Sequence, residues 1–245
     1  MKALILAAGY ATRLYPLTKD FPKPLLEVSK KPIIDHILAK LQVLPDIDQI
    51  FVVTNNKFIP HFRKWEKKLR GSKRVFLVND LTRTIKTRRG AIGDMNFVIN
   101  KKGIRDDLLV VGGDNLFSEG LERFVSFARA KKNPVIGVYN IKKKSEAGKY
   151  GVIKLGRQNR LLDFKEKPQD PDSALIAMCL YYFPRKKIGL IKQYLESKTD
   201  KRDATGFYID WLRKKEKVFG FVFGGIWYDI GDRKFLKEAD KRFSA

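Results

Sequence analysis

The chain is poor in the residues that cross-link proteins or build transition-metal centres. Among 245 residues there is one cysteine, Cys179, and there are two histidines, His36 and His61. A single cysteine excludes an intramolecular disulfide and points to a reducing, cytoplasmic setting. Two isolated histidines make no zinc site. His36 falls off the apolar face of its predicted helix and His61 precedes Phe62 on another, so both are expected at the surface. No apolar run reaches 18 residues, so no membrane span is expected. The Lys2 to Ala7 run is too short for a signal-peptide core and reads as a buried strand. Acids are scarce as well, 27 against 51 lysines and arginines, a net charge of +24. That imbalance keeps polyanions in view as partners: nucleic acid, an acidic membrane, or phosphorylated substrates. Yet the excess is scattered in small clusters such as Lys142-Lys143-Lys144 and Arg185-Lys186-Lys187. No helix-turn-helix, zinc-finger or RNA-binding pattern organises it. A small phosphate site needs only a few cations, and a solvated basic surface is the plain alternative.

What is present is globular: 44% hydrophobic and 12% aromatic residues, enough for one large α/β domain or two small ones. Strand-like apolar runs at Leu4 to Ala8, Ile50 to Thr54, Val75 to Val78, Leu108 to Val111 and Pro134 to Tyr139 are interleaved with helical stripes. The stripes are Ile34, Ile37, Leu38 and Leu41; Phe58, Phe62, Trp65 and Leu69; and Leu121, Phe124, Val125 and Ala128. Continuous apolar strands separated by helices predict a mostly parallel sheet covered on both faces. The second half predicts a hairpin (Gly151 to Leu155, Arg160 to Lys165), a long strand at Ala174 to Phe183, and helices around Ile188 to Leu195 and Tyr208 to Leu212. Strands at Val218 to Phe223 and Ile226 to Ile230 are expected to finish the sheet, with a closing helix at Phe235 to Phe243. The expectation is one α/β domain over residues 1–245, with no additional C-terminal domain.

Three stretches carry candidate chemistry. In Leu6-Ala7-Ala8-Gly9-Tyr10-Ala11-Thr12-Arg13-Leu14, continuing to Pro22-Lys23-Pro24, a buried strand runs into a loop of small residues and then bases. Ligands of parallel α/β sheets bind beyond the carboxyl ends of strands, and small residues there let backbone N–H groups approach phosphate. An ordinary strand-to-loop turn reads the same way, and the loop is neither a Walker A nor a Gly-x-Gly-x-x-Gly pattern. Asp114 follows Val111-Gly112-Gly113, where an Asx turn capping the next helix is the plainer reading of the stretch alone and a metal ion the sharper one. Asp229, between Tyr228 and Ile230, needs a partner for its burial, which a metal, an internal ion pair or a turn cap would each supply.

Taken in order, these pieces resemble the sugar-1-phosphate nucleotidylyltransferase family, the glucose-1-phosphate thymidylyltransferase-like NDP-sugar pyrophosphorylases. The resemblance spans nearly the whole chain. It rests on Ala8-Gly9…Thr12-Arg13-Leu14…Lys23-Pro24, Gly90-Ala91-Ile92-Gly93, Gly113-Asp114-Asn115, Tyr150-Gly151-Val152, Glu166-Lys167-Pro168, Tyr181 and Trp227-Tyr228-Asp229-Ile230-Gly231. It implies a Rossmann-like, mixed but mostly parallel sheet with helices on both faces, of the nucleotide-diphospho-sugar transferase type. It implies transfer of a nucleoside monophosphate from an NTP to a sugar 1-phosphate, with Mg2+ as cofactor. By the same resemblance the backbone at Ala8 and Gly9 approaches the nucleotide, and Gly90 and Asn79 lie by the base. Arg13 takes the β- and γ-phosphates, and Lys23 takes phosphate at the reacting centre. Asp114 and Asp229 hold the metal. Gly151, Glu166 and Lys167 face the sugar phosphate.

The chain departs from that family at places that bear on base and sugar preference. Ala11 and Leu81 stand where glycine is usual, and Met178-Cys179 replaces a small polar residue followed by glycine. The loop from Asn79 to Arg89 is strongly basic, with Arg83, Lys86, Arg88 and Arg89. Two other readings stay open. A glycosyltransferase of related fold is one, although Asp114-Asn115-Leu116 lacks the second acid of an Asp-x-Asp motif. A basic, non-catalytic relative gripping nucleic acid or an acidic surface is the other.

Overall fold

The computed structural model describes residues 1–69, 74–197 and 203–243. In chain order it runs β1 (Lys2–Leu6), β2 (Glu27–Val28), β3 (Lys31–Pro32), α1 (Ile33–Gln42), β4 (Gln49–Thr54), α2 (Ile59–Glu66), β5 (Arg74–Asn79), α3 (Gly90–Lys102), β6 (Leu108–Gly112) and β7 (Asn115–Phe117). It continues through α4 (Glu122–Lys131), β8 (Val135–Asn140), β9 (Gly151–Leu155), β10 (Leu161–Glu166), β11 (Leu175–Phe183), α5 (Gly189–Glu196), α6 (Thr205–Lys215), β12 (Phe219–Phe223), β13 (Trp227–Asp229) and α7 (Arg233–Phe243).

A nine-stranded sheet carries the order β10-β9-β11-β6-β1-β4-β5, with β8 beside β11 and β12 beside β8. β1, β4, β5 and β6 are parallel neighbours, as are β8 and β12, while β11 runs against β6, β8 and β9. Alternate residues of the central strands face opposite cores. Ala3, Ile5, Leu109 and Val111 pack with α1, α2, α4 and α7; Leu4, Leu108 and Val110 pack with α3, α5 and α6. That is why those strands read as unbroken apolar runs. Each fully buried aliphatic side chain among them contributes about 1.5–3 kcal/mol of transfer free energy. Part of the unusual charge finds a place here. Every helix except α5 has lysine or arginine in its last turn, where a cation meets the negative end of the helix dipole.

The structure corrects several expectations. β1 is Lys2–Leu6, not Leu4 to Ala8, because Ala7 and Ala8 already belong to the loop beyond the sheet. The Ile226 to Ile230 strand does not finish the sheet; β13 pairs with β7 in a separate two-stranded ribbon. α3 was not predicted, since Gly90, Gly93, Asp94 and Asn96 weaken the helical signal around buried Ile92, Met95 and Val98. Neither histidine is a simple surface residue. His36 is half-buried with Nε2 2.9 Å from the Val28 carbonyl oxygen, and His61 is half-buried edge-on to Phe21.

Candidate active site

The loops after β1, β4 and β6 meet at one edge of the sheet. The Gly113 N–H donates to the Leu6 carbonyl (2.8 Å), and a Cβ on Gly113 would lie 2.7 Å from that oxygen. Only glycine permits this approach, and it sets Asp114 beside the small-residue loop. Asn55, buried after β4, donates from Nδ2 to the Ala8 carbonyl (2.9 Å) and accepts from the Phe58 N–H (3.0 Å). Ala11 is left-handed (φ 48, ψ 45), and its carbonyl accepts from the Thr18 hydroxyl at 2.7 Å. Arg13 follows in a single 3-10 turn, exposed, with its guanidinium nitrogens 3.9 Å from where a Cβ on Gly231 would stand. Lys23 opens a second 3-10 turn, and its side chain is only 9% exposed.

Lys23 Nζ donates to Asp114 Oδ2 at 2.7 Å and lies 3.6 Å from Asp229 Oδ1. The two aspartates come together because Asp229 pairs with Asn115 across the β7–β13 ribbon. Trp227 Nε1 fixes that ribbon by donating to Asn115 Oδ1 at 2.5 Å. Burial works against the Lys23 charge, but Asp114 and Asp229 more than restore it and raise its pKa. Burial likewise opposes ionisation of Asp114, yet the Lys23 charge and hydrogen bond, helped by Arg13, hold it below the usual carboxylate range. Asp229 is pushed up, first by burial and then by the neighbouring Asp114 charge. One cation is thus serving two carboxylates whose pKa values are driven apart.

Across the cleft, β11 carries a bulge between Ala177 and Tyr181. Asn115 Nδ2 donates to the freed Met178 and Cys179 carbonyls at 2.7 and 3.2 Å. Cys179 sits there with φ 39, packed against the core on the α3 face and also lining the cleft, as a bulge beside a site allows. Burial, then the charges of Asp114 and Asp229, push its thiol up to about 12, so it stays protonated. The cleft holds about 300 Å3 and is lined by Asp114, Asp229, Glu166, Lys167, Tyr150, Thr205 and Cys179, among others. Glu166 ends β10 with its side chain 13% exposed, and burial raises its pKa against the opposing charge of Lys167. A Cβ on Gly206 would lie 1.9 Å from Glu166 Oε2, so glycine at the start of α6 makes room for that carboxylate.

Asp114, Asp229, Glu166 and Lys167 therefore line one opening, with Lys23 paired to both aspartates, Arg13 near Gly231, two residues past Asp229, and Gly151 beside Glu166 in the β9–β10 pairing. Gly90 starts α3 with φ 74, and the next residue, Ala91, reaches the cleft lining. Asn79 is not among the lining residues. It stands at the end of β5, donating to Asn56 Oδ1 (2.9 Å) and accepting from the Leu81 N–H (2.8 Å). Sequence reading missed Thr205, whose hydroxyl is 2.6 Å from the Tyr181 hydroxyl, and Asp203. The signal available was Asp203-Ala204-Thr205-Gly206 ahead of an apolar stripe.

Among the described residues no group of three or more His, Cys, Asp or Glu side chains could hold a metal ion. Two carboxylates nevertheless suit Mg2+, which takes oxygen ligands and often only one or two from protein, with phosphates and water completing its shell. The strain between Asp114 and Asp229, one depressed and one raised, is what a divalent cation relieves.

Residues 2–244 match the nucleotidyl transferase family, and the chain belongs to it. It is 32% identical over 246 residues to the bifunctional protein GlmU of Methanocaldococcus jannaschii, covering 98% of this chain and 54% of that one. It is 29% identical over 231 residues to a bifunctional sugar-1-phosphate nucleotidylyltransferase/acetyltransferase of Sulfurisphaera tokodaii, 94% of this chain and 52% of that one. The chain thus spans about half the length of these relatives. In fold it resembles a UDP-glucose pyrophosphorylase crystallised with UDP-glucose (TM-score 0.81, 19% identity, 99% of this chain and 97% of that one). It also resembles a UDP-glucose pyrophosphorylase from Acinetobacter baumanii (TM-score 0.80, 20% identity, 99% and 92%). No helix among the described residues is long and apolar enough to cross a membrane.

Proposed function

We propose that the chain transfers a nucleoside monophosphate from an NTP to a sugar 1-phosphate, releasing pyrophosphate, with Mg2+ as its metal and the cytoplasm as its setting. The observation that carries this reading is the meeting of Lys23 with Asp114 and Asp229 at the end of the small-residue loop, in the cleft that Glu166 and Lys167 also line. The sugar-phosphate oxygen is already anionic, so the reaction needs no general base. That oxygen attacks the α-phosphorus, the bond between the α- and β-phosphates breaks, and pyrophosphate carries away the charge. The difficulty is bringing two polyanions together, which calls for positioning and fixed cations.

Each residue has a part suited to it. The backbone at Ala8 and Gly9 lies against the nucleotide phosphates, and Gly90 and Asn79 belong to the base side. Arg13, exposed beside Gly231, binds the β- and γ-phosphates and stabilises the departing pyrophosphate. Lys23 turns from the carboxylates to phosphate at the reacting centre. Gly151, whose missing side chain makes room for the Phe164 ring, faces the sugar phosphate beside Glu166, Glu166 accepts from the sugar hydroxyls, and Lys167 pairs its phosphate. Asp114 and Asp229 would hold Mg2+, which when bound neutralises phosphate charge and polarises the phosphorus centre. Incubation with Mg2+, the common NTPs and a panel of sugar phosphates is expected to release pyrophosphate for at least one pair. Asp114→Ala and Asp229→Ala are expected to abolish that release while the fold persists. Normal turnover by both variants would defeat the assignment.

A further inference from the structure

Of the eight large apolar side chains exposed among the described residues, five stand on two loops: Tyr15, Leu17 and Phe21 after β1, and Leu81 and Ile85 after β5. β1, β4 and β5 are parallel, so the loops that follow them emerge at the same edge of the sheet. The loop after β4 ties the other two together. The Asn56 N–H donates to the Thr82 carbonyl at 2.8 Å. The next residue, Lys57, donates from Nζ to the Lys19 carbonyl and lies 3.1 Å from Asp20 Oδ1. Single exposed apolar residues are ordinary, but a group of them on one rim marks a contact surface. Exposed cations are interleaved with them in sequence, Lys19 between Leu17 and Phe21, and Arg83, Lys86, Arg88 and Arg89 around Ile85.

The loop from Asp80 to Arg89 holds its side chains outward. Leu81 is left-handed (φ 70), a conformation that disfavours a side chain, and there that side chain is 59% exposed. Its N–H donates to Asn79 Oδ1 at 2.8 Å. Thr82 turns inward and is buried, whereas Arg83 to Lys86 return to the surface. Thr84 and Thr87 close the tip, each N–H donating to the other's hydroxyl (3.2 and 3.3 Å). At the far end Arg88 holds Asp203 in bidentate fashion (3.1 and 2.7 Å), and Arg89 Nε donates to the Asp80 carbonyl at 2.9 Å. A loop tied at its ends and its tip loses little freedom on binding. We propose that this rim, with the Asp80 to Arg89 loop at its centre, docks on the surface of an anionic lipid bilayer: Leu81 and Ile85 enter the headgroup region while Arg83 and Lys86 meet the phosphates. Reversible attachment to a membrane takes two signals, and here one is apolar and the other basic. Tyr15 on the neighbouring loop suits the same boundary, since its ring is apolar at one end and polar at the other. A nucleic acid fits less well. The central loop carries no aromatic ring on which a base could stack, and its apolar side chains are aliphatic.

Vesicle binding is measured without substrates, so its outcome is separate from the reaction assigned to the cleft. The full chain is expected to sediment with vesicles of equimolar phosphatidylcholine and phosphatidylglycerol at low salt, to be released at high salt, and to stay in solution with phosphatidylcholine alone. Arg83→Ala with Lys86→Ala is expected to weaken partitioning about 30-fold, the worth of two basic residues near the surface. Leu81→Asn with Ile85→Asn is expected to weaken it about tenfold, and asparagine tolerates the left-handed backbone at 81. Arg185→Ala with Lys186→Ala removes the same charge from the opposite edge of the sheet, where the Arg185 N–H donates to Asp107 Oδ1 just before β6, and is expected to leave partitioning nearly unchanged. Thermal melting of each variant is expected to show that the fold persists. Equal binding to neutral and anionic vesicles overturns the proposal, as does no sedimentation at low salt. So does a loss from the Arg185 and Lys186 pair as large as that from Arg83 and Lys86. Preferential capture by duplex DNA or by RNA, unaffected by Leu81→Asn with Ile85→Asn, assigns the loop to nucleic acid and overturns it too.

Discussion

Replacing Lys23 by methionine keeps the buried stem and removes only the charge that Asp114 and Asp229 share. Breaking a fully buried ion pair by deleting one partner costs about 3–5 kcal/mol. Here the aspartate side chains are 37% and 31% exposed, so solvent screens part of the loss. The expected destabilisation is about 2 kcal/mol. For a chain of this length that corresponds to a fall in Tm of about 4–8 °C. Calorimetry at low salt and neutral pH measures it, and two accompaniments identify the cause. Added Mg2+ should recover more stability in Lys23→Met than in the native sequence, because the bare carboxylates bind it without competition from the ammonium. Acid should close the gap. The Asp114 pKa is depressed in the folded state, so the stabilisation from its pairing is present above the ordinary carboxylate pKa and disappears as pH falls through the folded value. Equal melting temperatures at neutral pH, with equal responses to Mg2+, would refute the claim that one cation holds this pair.

Other outcomes follow from the same geometry. Ala11 and Leu81 hold left-handed backbone (φ 48 and 70), which costs a residue with a side chain about 1–2 kcal/mol. Glycine at either site gives back about 0.4–1 kcal/mol through its freer unfolded chain, so Ala11→Gly and Leu81→Gly should each gain about 0.5–1 kcal/mol in denaturant titration. With its pKa near 12, the Cys179 thiol should resist iodoacetamide in native protein at mildly alkaline pH and react readily once unfolded; rapid native labelling would contradict its protonated state. Glu166→Gln should raise KM for the sugar phosphate about 10- to 100-fold, the worth of a charged hydrogen bond of about 1.5–3 kcal/mol, and leave KM for the NTP unchanged.

The layered fold was legible because its strands are buried on both faces and its first helices keep strict apolar spacing. α1 was expected from Ile34, Ile37, Leu38 and Leu41, all of which are buried. The sequence misses α3 because several of its positions carry poor helix formers: Gly90 turns the chain at φ 74, and Asp94 is a buried acid on its apolar side. Sequence places Ile226 to Ile230 in the main sheet because periodicity reports burial and not the partner strand, which is β7. Of the residues the resemblance names, Asp114, Asp229, Glu166 and Lys167 line the cleft, but nothing local in the sequence marks the bulge beside Cys179. Nor does composition explain +24, although the helix ends account for the placement of some of it.

The pairing of Asp229 with Asn115 has a bearing on how the chain comes to work during synthesis. Lys23, Asp114 and Asp229 are scattered along the sequence, and the last is held in place by a strand encoded more than a hundred residues earlier. A nascent chain short of Trp227 can fold much of its sheet around the small-residue loop, yet it lacks the strand that delivers the second carboxylate. The second carboxylate is therefore placed only once the chain has passed Asp229, whereas the strands of the main sheet all lie before residue 224.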